Sequence, residues 1–400
     1  ANRNLLLQNE YRHVEKNFDH IMDIGLFTTE LNNKNESSKS HFFSNTNFSF
    51  ENNFFENANL EMNFEQVSND TYLKKFKPSS ELINNENLMH NFLKLDGYNE
   101  DASLSIEVET FENLTKNRSD RYEYIYPNID YSKEFTSKSI PGSFNLSSNF
   151  YQKQFETNKY TSSLVTDLIY NAETRFSNTG MLKDFQVLFK NPNTINKTGS
   201  NNESNTETKL LTKLMYSLTY PLKKEGVIYD RFLKPSLSLR FSPNNTKNIS
   251  TADRVVNINN INSFNRLSIS DGVEGGQSLT AGLDYKLKSK NGEDKVSINL
   301  AQVYRDKANP DLPSNSTLNN KYSDIIGNVK FNLLDNLSFE YDFIADNNFN
   351  RLNYNLLNTS LSVNNFVTSF EYLEERGEIG TKSYIKNQTK YFRHRMLLRV

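Results

Sequence analysis

The groups able to move protons or hold a metal in this 400-residue chain are five histidines, 48 carboxylates and 46 lysines and arginines; cysteine is absent. Without cysteine there is no thiol nucleophile, thiolate metal site or disulfide. The histidines are His13, His20, His41, His90 and His394. His13 and His20 would share a face on a helix. The segment holding them (Phe18, Ile21, Ile24, Leu26) reads instead as a strand, where an odd separation places them on opposite faces. They are expected to meet solvent rather than a metal. Carboxylate pairs such as Glu374-Glu375, or Asp342 with Asp346, abound. Any two could serve as general acid and base, yet acids on the wet side of strands account for them all. Gly272-Val273-Glu274-Gly275-Gly276 lacks the Gly-Lys-Ser/Thr ending of a phosphate loop and reads as a turn or strand start. Neither a Gly-x-Ser-x-Gly elbow nor a His-Glu-x-x-His motif occurs. The expectation is no catalytic residue, no cofactor, no metal and no enzyme.

The elements carrying these groups show period two, not 3.6. Leu60, Met62 and Phe64 alternate with Glu61, Asn63 and Glu65; Leu104, Ile106 and Val108 with Ser105, Glu107 and Glu109. Leu237-Ser238-Leu239-Arg240-Phe241, Val296-Ser297-Ile298-Asn299-Leu300 and Phe339-Glu340-Tyr341-Asp342-Phe343 repeat the pattern, and Phe370-Glu371-Tyr372 continues it. Each such strand has one apolar and one polar face. Net charge is -2, which offers nucleic acid no basic face. Mean hydropathy is -0.71, and no apolar run approaches the roughly 18 residues of a spanning helix. Yet 29 Phe and 21 Tyr are present, against the aromatic poverty of disordered chains. Hydrophilic on average and rich in aromatics, the chain fits a wall with one apolar and one wet side. Either a membrane barrel or a soluble all-β protein with long polar loops supplies one.

Connections alternate short and long. Lys290-Asn291-Gly292-Glu293 is a hairpin turn, and Leu334-Asp335-Asn336-Leu337 and Asp346-Asn347-Asn348 are tight. Asn191 to Thr208 and Ala308 to Lys321 read as long polar stretches, and Lys74 to Asn91 as loop or short helix. Outer-membrane barrels alternate in this way. The fold class expected is all-β: one large antiparallel transmembrane β-barrel occupying residues 1–400, of roughly 16–20 strands, either complete or incomplete and open.

From Leu211 to Arg305 the chain resembles the barrel of the lipopolysaccharide-assembly proteins, the LptD or OstA family. The resemblance rests on ordered pieces: Leu218-Thr219-Tyr220-Pro221-Leu222, Phe232-Leu233-Lys234-Pro235-Ser236-Leu237, Phe241-Ser242-Pro243-Asn244, Phe264-Asn265-Arg266-Leu267, Glu274-Gly275-Gly276-Gln277 running to Gly282-Leu283, and Ala301-Gln302-Val303-Tyr304-Arg305. Arg121 to Pro127 resembles an earlier strand of the same barrel. The positions carried over are Tyr220, Pro221, Pro235, Arg266, Glu274, Gly276, Gly282 and Gln302. Ser270-Asp271-Gly272-Val273 departs from the pattern, leaving its second arginine without a counterpart, and Ala301 stands where glycine is common. The family's periplasmic jellyroll and closing strands have no counterpart, so a fragment cut at both ends is expected.

The resemblance implies a bacterial outer-membrane protein that takes lipopolysaccharide from a periplasmic bridge protein. Lipid would leave sideways between strands into the outer leaflet, and a small outer-membrane lipoprotein would plug the barrel. A porin or receptor-type channel shares the composition and alternation. A soluble extracellular β-rich adhesin would instead bury Phe339, Tyr341 and Phe343 between two sheets.

Overall fold

In the computed structural model, residues 4–29, 39–156, 159–197, 204–334 and 336–392 are described. The alternating segments all become strands, in one 22-stranded sheet. In chain order they are β1 (Asn4–Glu15), β2 (Phe18–Thr29), β3 (Lys39–Phe50), β4 (Asn57–Val67), β5 (Leu88–Tyr98), β6 (Ala102–Asn113), β7 (Tyr122–Thr136), β8 (Gly142–Phe155), β9 (Lys159–Ala172), β10 (Arg175–Phe176) and β11 (Leu182–Lys197). There follow β12 (Ser204–Thr208), β13 (Leu211–Thr219), β14 (Leu222–Lys224), β15 (Tyr229–Ser242), β16 (Gly276–Ser289), β17 (Asp294–Arg305), β18 (Ile325–Leu334), β19 (Leu337–Ala345), β20 (Leu352–Val363), β21 (Phe366–Glu375) and β22 (Ser383–Tyr391). Among the described residues one α-helix, α1 (Tyr72–Phe76), lies between β4 and β5. The excess over 16–20 strands consists of the short pieces β10, β12 and β14, of 2, 5 and 3 residues.

The chain divides into two compact units. The first comprises Ala1–Ser137, Phe144–Leu168 and Lys190–Leu210. Here β1 to β7 pair antiparallel, each with the next. Period-two alternation fixes the register: Met62 faces Leu93 and Leu93 faces Val108, an apolar row across three strands. All three are exposed, while Asp23, His41 and Glu65 are buried. The second unit comprises Lys138–Ser143, Ile169–Phe189 and Leu211–Val400. In it β15 to β22 pair antiparallel in sequence, with β13 and β14 end to end along one edge of β15.

Several local readings change. Two strands and a tight turn, not one strand, carry the first histidines, so His13 pairs directly with His20 across the β1–β2 hairpin. Asn191 to Thr208 is not one loop: its ends are strand, β11 against β12. Lys74 to Asn91 holds the end of α1, but β5 begins at Leu88. His394 lies outside the described residues.

In the second unit the connections at one end of the strands are short, 290–293 and 364–365 among them. At the other end 243–275 and 306–324 are long and fold back over one face of their own sheet. Val256, Ile261, Leu267 and Ile269 from the first connection, and Leu312 and Leu318 from the second, pack on Ala301, Val303, Ile326 and Ile344 of the strands. The two connections are stitched together: Thr246 Oγ1 accepts from Asn309 Nδ2 at 2.6 Å, and the Ile249 N–H donates to the Asp311 carbonyl at 2.8 Å. Here the core of the unit sits on the covered face, between strands and folded connections.

Candidate functional site

On β15 the alternation assigns Ser238, Arg240 and Ser242 to the covered face, where all are buried. Leu237, Leu239 and Phe241 point the other way and are exposed, Leu239 at 49%. β17 follows this in part: Ser297 and Arg305 are buried and Tyr304 is exposed, while Ala301 and Val303 are buried under the folded connections. Phe339, Tyr341 and Phe343 belong to the bare face, with Phe339 against Phe331 of the adjoining strand and Tyr341 stacked on Phe343. They lie against neighbours in their own sheet rather than between two sheets, as the adhesin reading requires. A sheet that buries its polar face and exposes its apolar one is stable where the surroundings are themselves apolar.

The covered face carries two polar constellations. At the long-connection end, Glu274 is the hub. Its carboxylate accepts from Arg266 Nε at 2.9 Å, from Arg266 Nη2 and from Arg305 Nη1. Arg266 also donates to Ser278 and Thr280, at 3.1 and 3.2 Å. Arg240 donates to Thr280 at 2.7 Å and to the Ile261 and Ser263 carbonyls. Arg305 donates to the Gly275 carbonyl at 2.6 Å, and Lys213 to the Phe264 carbonyl at 2.6 Å. Four buried cations thus surround one buried carboxylate, and three of them reach backbone carbonyls of 243–275. Burial by itself raises the Glu274 carboxyl. Arg266, Lys213 and Arg305 reverse that and hold it below the usual carboxylate range. Glu274 is therefore ionised throughout the physiological range.

Toward the short-turn end the same face encloses a cavity of about 770 Å³. Its floor is made by β16 to β19, and Ile258 and Asn259 of the 243–275 connection reach into its lining. Lys286 and Lys288 both bind Asp294, at 2.9 and 3.1 Å, and Lys330 binds Glu340 at 2.6 Å. Asn328 donates to Asp342 at 2.7 Å and to Glu340 at 3.1 Å.

The positions singled out by resemblance distribute as follows. Arg266 and Glu274 form the hub's central ion pair. Gly276 opens β16 at φ 81, beside Arg305. Gly282 faces Ser236, whose hydroxyl would lie 2.5 Å from an added Cβ. Pro221 lines the cavity. Pro235 lies within β15, opposite Leu283. Tyr220 donates its N–H to the Pro235 carbonyl at 3.0 Å, and Gln302 donates to the Ser323 carbonyl at 3.0 Å. The last three join neither constellation. Val273, in the segment left without its second arginine, is buried with Leu188 and Leu211. Sequence reasoning did not single out Arg240, Arg305 or Lys213. Their signal was an arginine or lysine among the polar positions of an alternating strand.

The first unit has a smaller buried cluster. His41 lies between Asp23, at 3.3 Å, and the Tyr72 hydroxyl, at 3.0 Å. Gln8 donates to Asp23 at 2.9 Å. Burial, then the Asp23 charge, raise the Tyr72 phenol, which stays neutral. Phe27, Phe43, Leu73, Met89 and Leu114 surround it. His41 is therefore buried. His90 pairs with Glu109 at 2.8 Å. Among the described residues no group of three or more possible metal ligands occurs.

Inverted faces, antiparallel pairing throughout and alternating connections define a membrane β-sheet protein with a mixed-charge polar side. A family model described as LptD, LPS transport system D, matches residues 37–397. The chain belongs to that family and is a protein of the bacterial outer membrane. The match extends far beyond 211–305, where the resemblance was legible. No curated protein matches the chain. Solved structures similar to it include the alcaligin outer-membrane receptor FauA of Bordetella pertussis, at 8% identity and TM-score 0.36, covering 98% of this chain and 70% of that one. The ferric citrate transporter FecA has 8% identity, TM-score 0.35 and coverage of 97% and 78%. The siderophore receptor PiuA of Acinetobacter baumannii has 8%, 0.32, and 98% and 78%. Likeness at this level carries no argument about ligand.

Proposed function

We propose that the chain is the membrane-spanning β part of a translocon that inserts lipopolysaccharide into the outer leaflet. The observation that carries this is the family match over residues 37–397. The lipid is handed over by a periplasmic bridge protein of the transport system, and an outer-membrane lipoprotein seats in the β part as its plug. The physical chemistry is compatible. A face of lysines, carboxylates and amides solvates a sugar-phosphate chain, while the bare apolar face meets membrane lipid. A lipid leaving sideways between two strands costs only their ladder hydrogen bonds. No covalent bond is made or broken, so the protein is not an enzyme. Arg266, Glu274, Gly276 and Gly282 act structurally, shaping the covered face.

The test is depletion of the protein in its own cell, with newly made lipopolysaccharide followed by pulse labelling and surface modification. The expected result is retention of new lipopolysaccharide at the inner membrane. Surface delivery at an undiminished rate after depletion refutes the proposal.

A further inference from the structure

We infer that Lys213, Arg240 and Thr280 form a binding site for a dehydrated monovalent anion, chloride, held between the sheet and the 243–275 connection. The site belongs to the hub around Glu274 and does not rest on the transport reading.

The charges of the hub do not balance. Lys213, Arg240, Arg266 and Arg305 are all buried, and Glu274 is the buried carboxylate among them. Glu274 pairs with Arg266 and Arg305. Asp306, exposed, stands beside Arg305 at Gly276. Lys213 and Arg240 have no such answer. Among the described residues neither pairs with a carboxylate; their acceptors are backbone carbonyls and a hydroxyl. Yet the fold draws their heads together. Lys213 Nζ donates to the Phe264 carbonyl at 2.6 Å, and Arg240 Nη2 to the carbonyl of Ser263, the preceding residue, at 3.1 Å. Like charges seated on consecutive carbonyls repel, and a buried charge without compensation is strongly destabilising. An anion placed between them removes both costs.

Donors are left to hold it. Arg240 Nε is buried and forms no hydrogen bond. Lys213 uses one ammonium donor on Phe264, whose ring centre lies 5.3 Å away, and has others to give. The buried Thr280 hydroxyl accepts from Arg240 at 2.7 Å and from Arg266 at 3.2 Å, so its own proton remains to donate. Arg240 links the three groups, with Nη1 on Thr280 and Nη2 on the carbonyl next to that of Lys213. Arg305 Nε is also unbonded. It lies across Ser278 from Arg240 in the strand register, on the side that Glu274 and Asp306 already neutralise.

Burial selects the ion. Lys213, Arg240 and Thr280 are closed off from solvent, so a phosphate or carboxylate borne on a larger molecule cannot follow its charge inside. A free ion must shed its water to enter. That cost grows with the square of the charge, which disfavours sulfate and phosphate dianions against a halide. A few N–H and O–H donors around a net positive charge suit a spherical ion with no fixed bonding directions. The chloride then acts as the counter-charge that lets Lys213 and Arg240 grip residues 261–264 of the connection.

The full chain is refolded in detergent micelles in sodium gluconate, and chloride is titrated in at constant ionic strength. Amide hydrogen exchange is read at 261–264. Protection is expected to rise with chloride and saturate the site, reaching about a hundredfold gain when chloride stands at about 100 times its dissociation constant. Bromide should act in the same way, and sodium sulfate should not. In crystals grown with bromide, an anomalous peak is expected against Arg240 Nε, the Thr280 hydroxyl and Lys213 Nζ. Lys213→Met should flatten the chloride response, while Lys247→Gln, at an exposed ion pair of the same connection, should leave it intact. Heat-modifiable electrophoretic mobility confirms that each variant is folded.

The titration of the unaltered chain decides the matter even if Lys213→Met fails to fold. A flat response to chloride overturns the inference and assigns the balance of charge to the protein alone. Sulfate raising protection as much as chloride marks ordinary screening and overturns it equally. So does bromide density found only elsewhere on the chain, or a full chloride response in folded Lys213→Met.

Discussion

Replacing Glu274 by Gln removes the one carboxylate among Arg240, Arg266, Arg305 and Lys213, and changes little in volume. Gln keeps a carbonyl acceptor for one arginine, but its amide points two donors at groups that already donate. Glu274 is buried, and its partners Arg266 and Arg305 are almost wholly so. Breaking one buried pair by deleting a partner costs about 3–5 kcal/mol. With Arg266 and Arg305 both losing their anion, the upper half of that range is expected. The sheet ladder does not pass through Glu274, so the loss falls on the connection 243–275 rather than on the strands. The assay is amide hydrogen exchange on the refolded chain. Amides of 249–269 should lose protection by roughly three to three and a half orders of magnitude, at about 1.4 kcal/mol per factor of ten, while β16 to β18 keep theirs. The pH dependence follows from the sign of the shift. A carboxyl depressed by folding contributes stability above its unfolded value, about 4.3, and loses it as pH falls toward the folded one. The gap between wild type and variant should therefore be full at pH 7 and nearly full at pH 5, and shrink only in more acidic solution. Removing a cation along with the anion, Glu274→Gln with Arg305→Met, should recover part of the loss. Equal protection of 249–269 in wild type and variant would show that the hub does not hold the connection, and would refute the reasoning.

Further outcomes are expected. Leu93→Arg, at a position 46% exposed in the middle of β5, should destabilise the refolded protein in bilayers by about 2–4 kcal/mol in urea titration; an effect within about 0.5 kcal/mol is what a water-facing site would give. Ile261→Ala, fully buried beneath the strands' cover, should cost about 2–5 kcal/mol, seen as earlier proteolysis within 243–275. Gly25→Ala places a Cβ 2.3 Å from the His41 ring and 2.8 Å from the Tyr72 hydroxyl; it should cost about 1–3 kcal/mol and loosen α1, read from hydrogen exchange at Tyr72 to Phe76. Gly282→Ala meets only the movable Ser236 hydroxyl, so a measurable shift there that Ser236→Ala fails to rescue would contradict the packing described.

Strand positions were legible because period two survives any surroundings: Leu60-Met62-Phe64 and Phe339-Tyr341-Phe343 alternate whether lipid or a second sheet receives them. Which way those faces point was not legible, since alternation is symmetric between the two cases. Arg266 and Glu274 were found through the family pattern. Their meeting with Arg240 and Arg305 depends on strand register, Arg240 opposite Ser278 and Ser278 opposite Arg305, which no local signal encodes. His13 and His20 were separated on paper because the Lys16-Asn17 turn was read as part of a strand. The burial of His41 was not legible because no sequence signal shows α1 folding back on β3.

The packing of 243–275 onto its own sheet has a consequence for how freely its sequence can change. A long connection between strands ordinarily tolerates changes of length and sequence at little structural cost. This one contributes Val256, Ile261, Leu267 and Ile269 to a shared core and carries Arg266 and Glu274 as its anchor. An insertion or deletion between those residues pulls them from their seats. The segment most free to vary by position in the topology is thus among the least free by packing.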